Sequence, residues 1–242
     1  MKEARSLPLP SENLALILGI DTCGPMGSVA LARASAEAVE ILGQTELEGR
    51  SYSSTLTTAI AQLVEAAGLK LADLTGIVVV NGPGSFTGVR VGVGTAKGLA
   101  EGLGVPVVAV SRLAVLAAQS GIAAAALDAH RNEVYLRVER AASPAEELLA
   151  GAEELAAVVP VPARVAVCED SAARLLGTEW RATELVRVPA PNAGDALRLS
   201  AARLVAGEHP ELALLDGHYL RRSDAEIFGD KAAAAEKQAA GA

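Results

Sequence analysis

The sequence predicts an α/β protein with two lobes, each built on a mixed sheet flanked by helices. Three observations favour this class. Short apolar runs rich in Val, Ile and Leu alternate with stretches of helical period. Three strands in succession come first, and helices then alternate with strands. From residue 111 onward, a second set of strands and helices follows.

The first lobe is predicted to span residues 14–110, after a flexible lead-in at 1–13. Its strands are expected at 14–20, 27–34, 38–47, 76–80 and 105–110. Its helices are expected at 53–68 and 85–103. Ser53 or Ser54 is expected to cap the first helix, and Gly68 to end it.

The second, smaller lobe is predicted at 111–229, before a flexible tail at 230–242. Its strands are expected at 123–128, 133–139 and 165–168. Its helices are expected at 112–120, 144–157, 171–176 and 192–206, with Ser111 and Ser143 as caps of the first two. The last helix could pack back on the first lobe.

Composition excludes several functions. The formal net charge is −8, and only two Phe, three Tyr and one Trp are present. Nucleic-acid binding by this chain alone is therefore not expected, since such binding needs basic side chains. Two distant cysteines, Cys23 and Cys168, fit a reducing compartment and predict a cytoplasmic protein. The apolar run 14–20 is too short for a membrane span, and it is predicted to be a buried strand rather than a signal peptide.

Residues 81–90, Asn-Gly-Pro-Gly-Ser-Phe-Thr-Gly-Val-Arg, join a buried strand to a helix that is rich in glycine. Each interior glycine destabilises a helix by about 0.5–1 kcal/mol relative to alanine. Two interpretations stay open. The glycines could serve a phosphate site or a partner helix, or they could only seat the helix against its own sheet. Ser85 is interpreted as a helix N-cap and not as a nucleophile.

Two further clusters have a functional and a structural interpretation. Asp21, Thr22 and Gly24 could form a vestigial phosphate loop, although a capped turn is favoured. Residues 128–133 could be an acid/base cluster, although a charged hairpin tip is favoured. No metal site is predicted, because no two of the three histidines lie three to five residues apart.

Five segments occur in an order that resembles the bacterial TsaB family, also called YeaZ. They are Ile20-Asp21-Thr22, Gly27–Leu31, Gly82–Arg90, Asp128–Tyr135 and Tyr219–Arg222. The resemblance covers about residues 14–222. That family is the dimerisation subunit of the machinery that makes N6-threonylcarbamoyladenosine at position 37 of tRNA.

The resemblance implies an actin-like, RNase H-like fold of the sugar kinase and Hsp70 ATPase superfamily. It also implies an accessory subunit and not an enzyme, which activates the TsaD transferase. The histidine pair that TsaD uses, spaced i,i+4, has no counterpart here. Other implied partners are a TsaE-like ATPase and a second copy of the chain in isolation. Transfer RNA would be contacted only through the complex. No intrinsic cofactor is implied, although ATP or ADP with Mg²⁺ could sit at the joint with the partner.

In this interpretation the two first-lobe helices pack against a partner as a helical bundle. The candidate interface residues are Leu56, Ile60, Leu63, Gly88, Val89 and Gly92. One departure from the family is Tyr52, which stands where a histidine is usual. Two rival functions remain: an active phosphotransferase of the actin-like superfamily, and a stand-alone homodimer with a regulatory or peptidase role.

Overall fold

Two five-stranded mixed sheets organise the part of the chain that the computed structural model describes, residues 14–49, 51–139 and 144–221. Contacts divide the chain into two units. The first unit contains the chain up to Asn81, together with Thr87–Val110 and Pro191–Asp216. The second unit contains Gly82–Phe86, Ser111–Ala190 and the chain from Gly217 onward.

The sheet of the first unit has the strand order β3-β2-β1-β4-β5. Its strands are β1 (Ala15–Asp21), β2 (Met26–Ala34), β3 (Val39–Glu48), β4 (Gly76–Val80) and β5 (Val107–Val110). Strands β1, β2 and β3 pair antiparallel, whereas β4 pairs parallel with both β1 and β5. Every residue of β4 is buried, as expected for a central parallel strand covered on both faces.

Helices cover both faces of this sheet. They are α1 (Tyr52–Ala66), α2 (Phe86–Leu103) and α6 (Ala193–Val205). Ser28 faces α6, because its Oγ accepts a hydrogen bond of 2.8 Å from the backbone N–H of Ala193. The neighbouring residue of β2, Gly27, faces the opposite way and lies against the ring of Tyr52 in α1.

The second unit repeats this arrangement with the strand order β8-β7-β6-β9-β10. Its strands are β6 (Ala125–Asp128), β7 (Val134–Val138), β8 (Glu146–Ala150), β9 (Arg164–Val167) and β10 (Glu184–Arg187). Its helices are α3 (Arg112–Ser120), α4 (Ala152–Ala157) and α5 (Asp170–Glu179). Strand β6 pairs antiparallel with β7 and parallel with β9, just as β1 pairs with β2 and β4. The same topology in both sheets is that of the actin-like, RNase H-like fold.

The helix that ends each half of the sequence packs on the sheet formed by the other half. Helix α3 follows β5 in the chain but contacts β6, β7 and β9, whereas α6 follows β10 and contacts the first sheet. The contacts therefore divide the chain differently from a single boundary at residue 110. The lead-in 1–13 and the tail 230–242 lie outside the described residues.

One predicted element is wrong. Residues 144–157 were expected to form one helix, but Glu146–Ala150 is strand β8 and only Ala152–Ala157 is helical. Residues with good helix propensity form a strand here because β8 pairs along its whole length with β7. Ser143, the cap predicted for that helix, lies outside the described residues.

Smaller differences concern the ends of elements. Strand β10 was not predicted. Helix α1 begins one residue earlier than expected, so Ser51 and not Ser53 or Ser54 precedes it, and Ser51 makes no side-chain cap bond. Ser111 does cap α3, because its Oγ accepts from the backbone N–H groups of Leu113 and Ala114. None of the helices in the described ranges combines the length and apolarity needed to cross a membrane.

Candidate functional site

The turn after β1, where a phosphate loop was considered, is held by hydrogen bonds inside the first unit. Asp21 is only 1% exposed, and its Oδ1 accepts from the backbone N–H of Cys23 at 2.8 Å. Thr22 is fully buried, and its Oγ1 donates to the carbonyl oxygen of Gly88 at 2.7 Å. Asp21 therefore stabilises the turn itself, and Thr22 joins this turn to the start of α2.

Tyr52 closes the same turn from the side of α1. Its hydroxyl donates to the carbonyl oxygen of Gly24 at 2.7 Å. Its ring fills the space beside Gly27, where an added Cβ would lie 2.7 Å from Cε1 of the tyrosine. The residue that departs from the family pattern is thus a buried structural contact in this chain.

These contacts do not fit a phosphate group or Mg²⁺ on this turn. A phosphate loop needs backbone and side-chain groups that point at the ligand. Here the Thr22 hydroxyl and the Gly24 carbonyl point at other parts of the chain, and Asp21 is buried. The structure favours the interpretation of Asp21, Thr22 and Gly24 as a capped turn.

Gly92 lies directly over Thr22. A Cβ added at Gly92 would lie 2.3 Å from Oγ1 of Thr22 and 3.7 Å from Cγ2 of Ile20. Gly88, one helical turn earlier, is also buried and supplies the carbonyl that Thr22 binds. The glycines at 88 and 92 therefore seat α2 against its own sheet.

The interface predicted from the sequence is therefore wrong in its residues. Besides Gly88 and Gly92, it named four apolar side chains that are all buried within the chain: Leu56, Ile60, Leu63 and Val89. A side chain already packed in the core offers no surface to a partner. The helical periodicity of these residues identified the inner faces of α1 and α2.

The outer face of α2 carries three other glycines. Gly94, Gly98 and Gly102 are exposed at i, i+4 and i+8, and an added Cβ would meet nothing within 4 Å at any of them. We call these three residues the α2 glycine face. The outer side of α1 is also built mostly of small residues. They are Ser53, Ser54, Thr57, Thr58, Ala61 and Ala66, with Gln62 and Glu65 as the larger exposed side chains.

The segment 128–133 is the tip of the β6–β7 hairpin, as the favoured interpretation predicted. His130, Arg131 and Asn132 have φ angles of 60°, 55° and 59°, in the left-handed region that non-glycine residues seldom adopt. The carboxylate of Asp128 accepts from the backbone N–H of His130 at 2.8 Å. Burial acts to raise the pKa of Asp128, but hydrogen bonds from Ser171 and His130 outweigh it, so the pKa lies below its usual value.

Three of the five segments that carried the resemblance contact one another in the second unit. Arg221 donates to the carbonyl oxygen of Ala129 at 2.8 Å and also binds the carboxylate of Glu133. Two residues earlier, the ring of Tyr219 lies 5.2 Å from the ring of Phe86, measured between centroids. The late Tyr-Leu-Arg segment therefore contacts both the hairpin tip and the glycine-rich block.

A buried polar cluster around Glu147 was missed by the sequence analysis. Its carboxylate accepts from Ser111 at 2.6 Å and Arg137 at 2.9 Å, and it lies 2.9 Å from Nε2 of His218. Burial acts to raise the pKa of Glu147, but the hydrogen bonds from His218, Ser111 and Arg137 outweigh it and lower the pKa. These partners are spread over more than a hundred residues of sequence, and no local sequence motif indicates the cluster.

Within the ranges that the structure describes, no group of three or more His, Cys, Asp or Glu side chains could hold a metal ion. The carboxylates of Glu147 and Asp128 are both bound by protein groups. The arrangement supports interactions between segments of the chain more than acid/base chemistry.

The chain is similar in sequence to proteins that are named for tRNA threonylcarbamoyladenosine formation. A sequence model of the family described as "TsaD: tRNA N6-adenosine threonylcarbamoyltransferase" matches residues 42–158. The tRNA threonylcarbamoyladenosine biosynthesis protein TsaB of Haemophilus influenzae is 38% identical over 130 residues, which are 51% of this chain and 53% of that protein. The TsaB protein of Bacillus subtilis is 39% identical over 123 residues, 49% of this chain and 52% of that protein.

The solved structure of YeaZ from Pseudomonas aeruginosa matches at a TM-score of 0.66 and 26% identity, over 85% of this chain and 100% of that one. In both sequence and structure the chain is similar to proteins of the TsaB (YeaZ) family. Its alignments span about half the length of the curated TsaB relatives named above. The structural match extends the likeness to both sheets, because it covers most of the chain.

Proposed function

We propose that this chain acts in the biosynthesis of N6-threonylcarbamoyladenosine in tRNA, as a non-catalytic subunit that binds a TsaD-like transferase and holds it in an active state. The observation that carries the proposal is the similarity to TsaB proteins, whose names assign them to this pathway. The match of residues 42–158 to the transferase family also supports it, since related subunits of one fold can pair through equivalent helices.

The non-catalytic role is supported by the state of the turn after β1. Asp21 and Thr22 occupy the place where an actin-like enzyme would contact phosphate, but both side chains are buried, and Oδ1 of Asp21 and Oγ1 of Thr22 are hydrogen-bonded within the chain. Any ATP or ADP with Mg²⁺ at the joint between the subunits would therefore be held mainly by residues of the transferase.

The outer sides of α1 and α2 are the proposed docking surface. Each exposed glycine in a helix costs stability, by about 0.5–1 kcal/mol relative to alanine. The α2 glycine face has no contact in this chain that requires glycine. Its lack of side chains would allow a partner helix to approach to the low end of the usual range of 8–10 Å between axes. Close packing with a partner helix would account for the three glycines.

The proposal also covers self-association of the chain and its relation to the ATPase and to tRNA. In the absence of the transferase, the α2 glycine face would pair with its copy in a second chain, so that homodimer and heterodimer would compete. A TsaE-like ATPase would join the complex of the two subunits. Transfer RNA would be bound through the transferase, in keeping with the net charge of −8 on this chain.

Co-purification with the TsaD-like transferase from the same genome tests the proposal, followed by an assay of modified tRNA. Gly98→Arg places a long charged side chain on the α2 glycine face and should abolish both association and tRNA modification while leaving the fold intact. Ala202→Arg is the matched control, because Ala202 is an exposed residue of α6, on the opposite face of the first sheet. Normal association of Gly98→Arg would exclude this surface. Modification of tRNA by the transferase without this chain would refute the function.

A further inference from the structure

A polar cavity of about 560 Å³ lies in the second unit, between the tip of the β6–β7 hairpin and helix α5. This volume lies within the range of small-molecule sites, roughly 300–1,000 Å³. The proposed docking surface belongs to the first unit, so the function of this cavity is a separate question. The charges on its walls indicate what it could bind.

Helix α5 presents an ordered stripe to the cavity. Five of its residues line the space: Ser171, Arg174, Leu175, Thr178 and Glu179. At 100° per residue, Arg174 and Glu179 stand about 140° apart around the helix, at opposite edges of the stripe. The two hydroxyl residues and Leu175 lie between them. The helix therefore offers a positive edge, an uncharged middle and a negative edge.

Arg174 and Glu179 are both exposed, and neither has a hydrogen-bond or ion-pair partner for its side chain among the described residues. Their offset of five positions is one more than the i,i+4 spacing that favours an ion pair on a helix. The other carboxylates of the cavity are already bound, Asp128 by His130 and Ser171 and Glu133 by Arg221. The cavity thus retains one uncommitted charge of each sign.

A ligand with a single charge would pair with only one of the two side chains, Arg174 or Glu179. A simple anion at Arg174 would lie near three carboxylates of the same cavity, and a simple cation at Glu179 would meet two arginines. A zwitterion would satisfy both edges. Five residues of α-helix rise by about 7.5 Å, and a dipeptide places its ammonium and carboxylate roughly 7 Å apart when extended. These two lengths are similar, and a free amino acid places its two charges closer together than a dipeptide does.

We propose that this cavity binds a short peptide zwitterion of dipeptide length, with its carboxylate at Arg174 and its ammonium at Glu179. The amide of Asn132, on the facing hairpin tip, is available to bind the central peptide group. Leu175 forms an apolar floor for a small side chain, since it is only 7% exposed.

The test is an NMR titration of the ¹⁵N-labelled chain with L-alanyl-L-alanine. Three related probes each lack one feature: the N-acetylated dipeptide lacks the ammonium, the dipeptide amide lacks the carboxylate, and L-alanine lacks the length. The dipeptide should shift the amide signals of 128–133 and 171–179 saturably. Each of the three probes should bind about two- to fivefold more weakly, which is the effect of losing one partly exposed charge pair.

Two variants connect each charge of the probe to one side chain. Arg174→Gln should weaken binding of the dipeptide and of its acetylated form, and leave the dipeptide amide unaffected. Glu179→Gln should weaken binding of the dipeptide and of its amide, and leave the acetylated form unaffected. Arg181→Gln and Glu153→Gln are matched controls, because both residues are exposed in the same unit and neither lines the cavity.

The absence of saturable shifts with the dipeptide would overturn the proposal. So would equal affinity for the dipeptide and its capped forms, or equal weakening by the control variants, since either result indicates only general attraction to surface charge. All four substituted residues are exposed, so the spectra outside the cavity should show an unchanged fold.

Discussion

The hydroxyl of Tyr52 donates a hydrogen bond to the carbonyl oxygen of Gly24, at 2.7 Å, and so joins the first turn of α1 to the turn that follows β1. The ring is 5% exposed and lies against Gly27, where only glycine leaves room for it. The tyrosine that replaces the histidine usual in the family therefore has a structural role in this chain. It ties the turn after β1 to helix α1.

Tyr52→Phe removes the hydroxyl and keeps the ring, so the variant isolates this hydrogen bond. The buried carbonyl of Gly24 would lose its hydrogen bond from Tyr52, which should lower the free energy of unfolding by about 1–2 kcal/mol. Urea denaturation followed by circular dichroism measures the change. Ser53→Ala, at the exposed neighbouring position, should stay within about 0.5 kcal/mol of the unsubstituted chain. Equal effects of the two substitutions would show that the bond contributes nothing.

Two glycines of α2 should respond to alanine in opposite directions. Gly92→Ala forces a methyl group onto Oγ1 of Thr22, and overpacking of this kind should destabilise the fold by about 1–3 kcal/mol. Gly94→Ala meets no atom within 4 Å and should stabilise the helix by about 0.5–1 kcal/mol. Thermal and urea unfolding of both variants give the comparison. The same sign of effect at both positions would contradict the assignment of inner and outer faces.

The same two glycines illustrate what the sequence could predict. The glycine-rich block after a buried strand correctly indicated a turn and a helix that needs close approach. Spacing alone could not tell which glycines face inward. Gly88 and Gly92 are four residues apart, and so are Gly94 and Gly98. The choice depends on the position of Thr22, 70 residues earlier in the chain, which only the folded structure supplies.

The strands of the two sheets were predicted with unequal accuracy. Strand β4, which is rich in β-branched residues, has the ends that were predicted for it, whereas β5 begins two residues later than predicted. Strand β8, with the sequence Glu-Glu-Leu-Leu-Ala, was predicted as helix because its residues favour helices and its pairing with β7 is not visible locally. The Glu147 cluster was missed for the same reason. The family resemblance indicated the overall fold, and long-range pairing decided the elements and contacts within it.

Cys168 should be nearly inert to alkylation in the folded chain. Burial, followed by the charge of Glu169, raises its pKa to about 12. Relative to a free thiol of pKa about 8.5, the thiolate fraction at neutral pH falls roughly three-thousandfold. At neutral pH, iodoacetamide should modify Cys168 far more slowly in the folded chain than in the chain unfolded by urea. Mass spectrometry measures the rate at this cysteine. Glu169→Gln should raise the rate, and a native rate like that of a free cysteine would refute the assignment.

Glu147→Gln should destabilise the second unit in a way that depends on pH. At neutral pH the loss should be about 1.5–3 kcal/mol, because the glutamine gives Arg137 and His218 a neutral partner in place of a buried carboxylate. The folded pKa of Glu147 lies below its ordinary value of 4.5, so the unfolded chain binds the proton more readily. Its contribution is therefore complete above about pH 5 and is lost as the pH falls below 4.5 toward the folded pKa. Urea unfolding at a series of pH values should show the two proteins converging in stability as acid is added.

Glu139→Gln serves as the control, since Glu139 is 3.9 Å from the same Arg137 but its side chain is 55% exposed. A difference between the unsubstituted chain and Glu147→Gln that stays constant from neutral to acidic pH would show that the carboxylate charge does not stabilise the cluster.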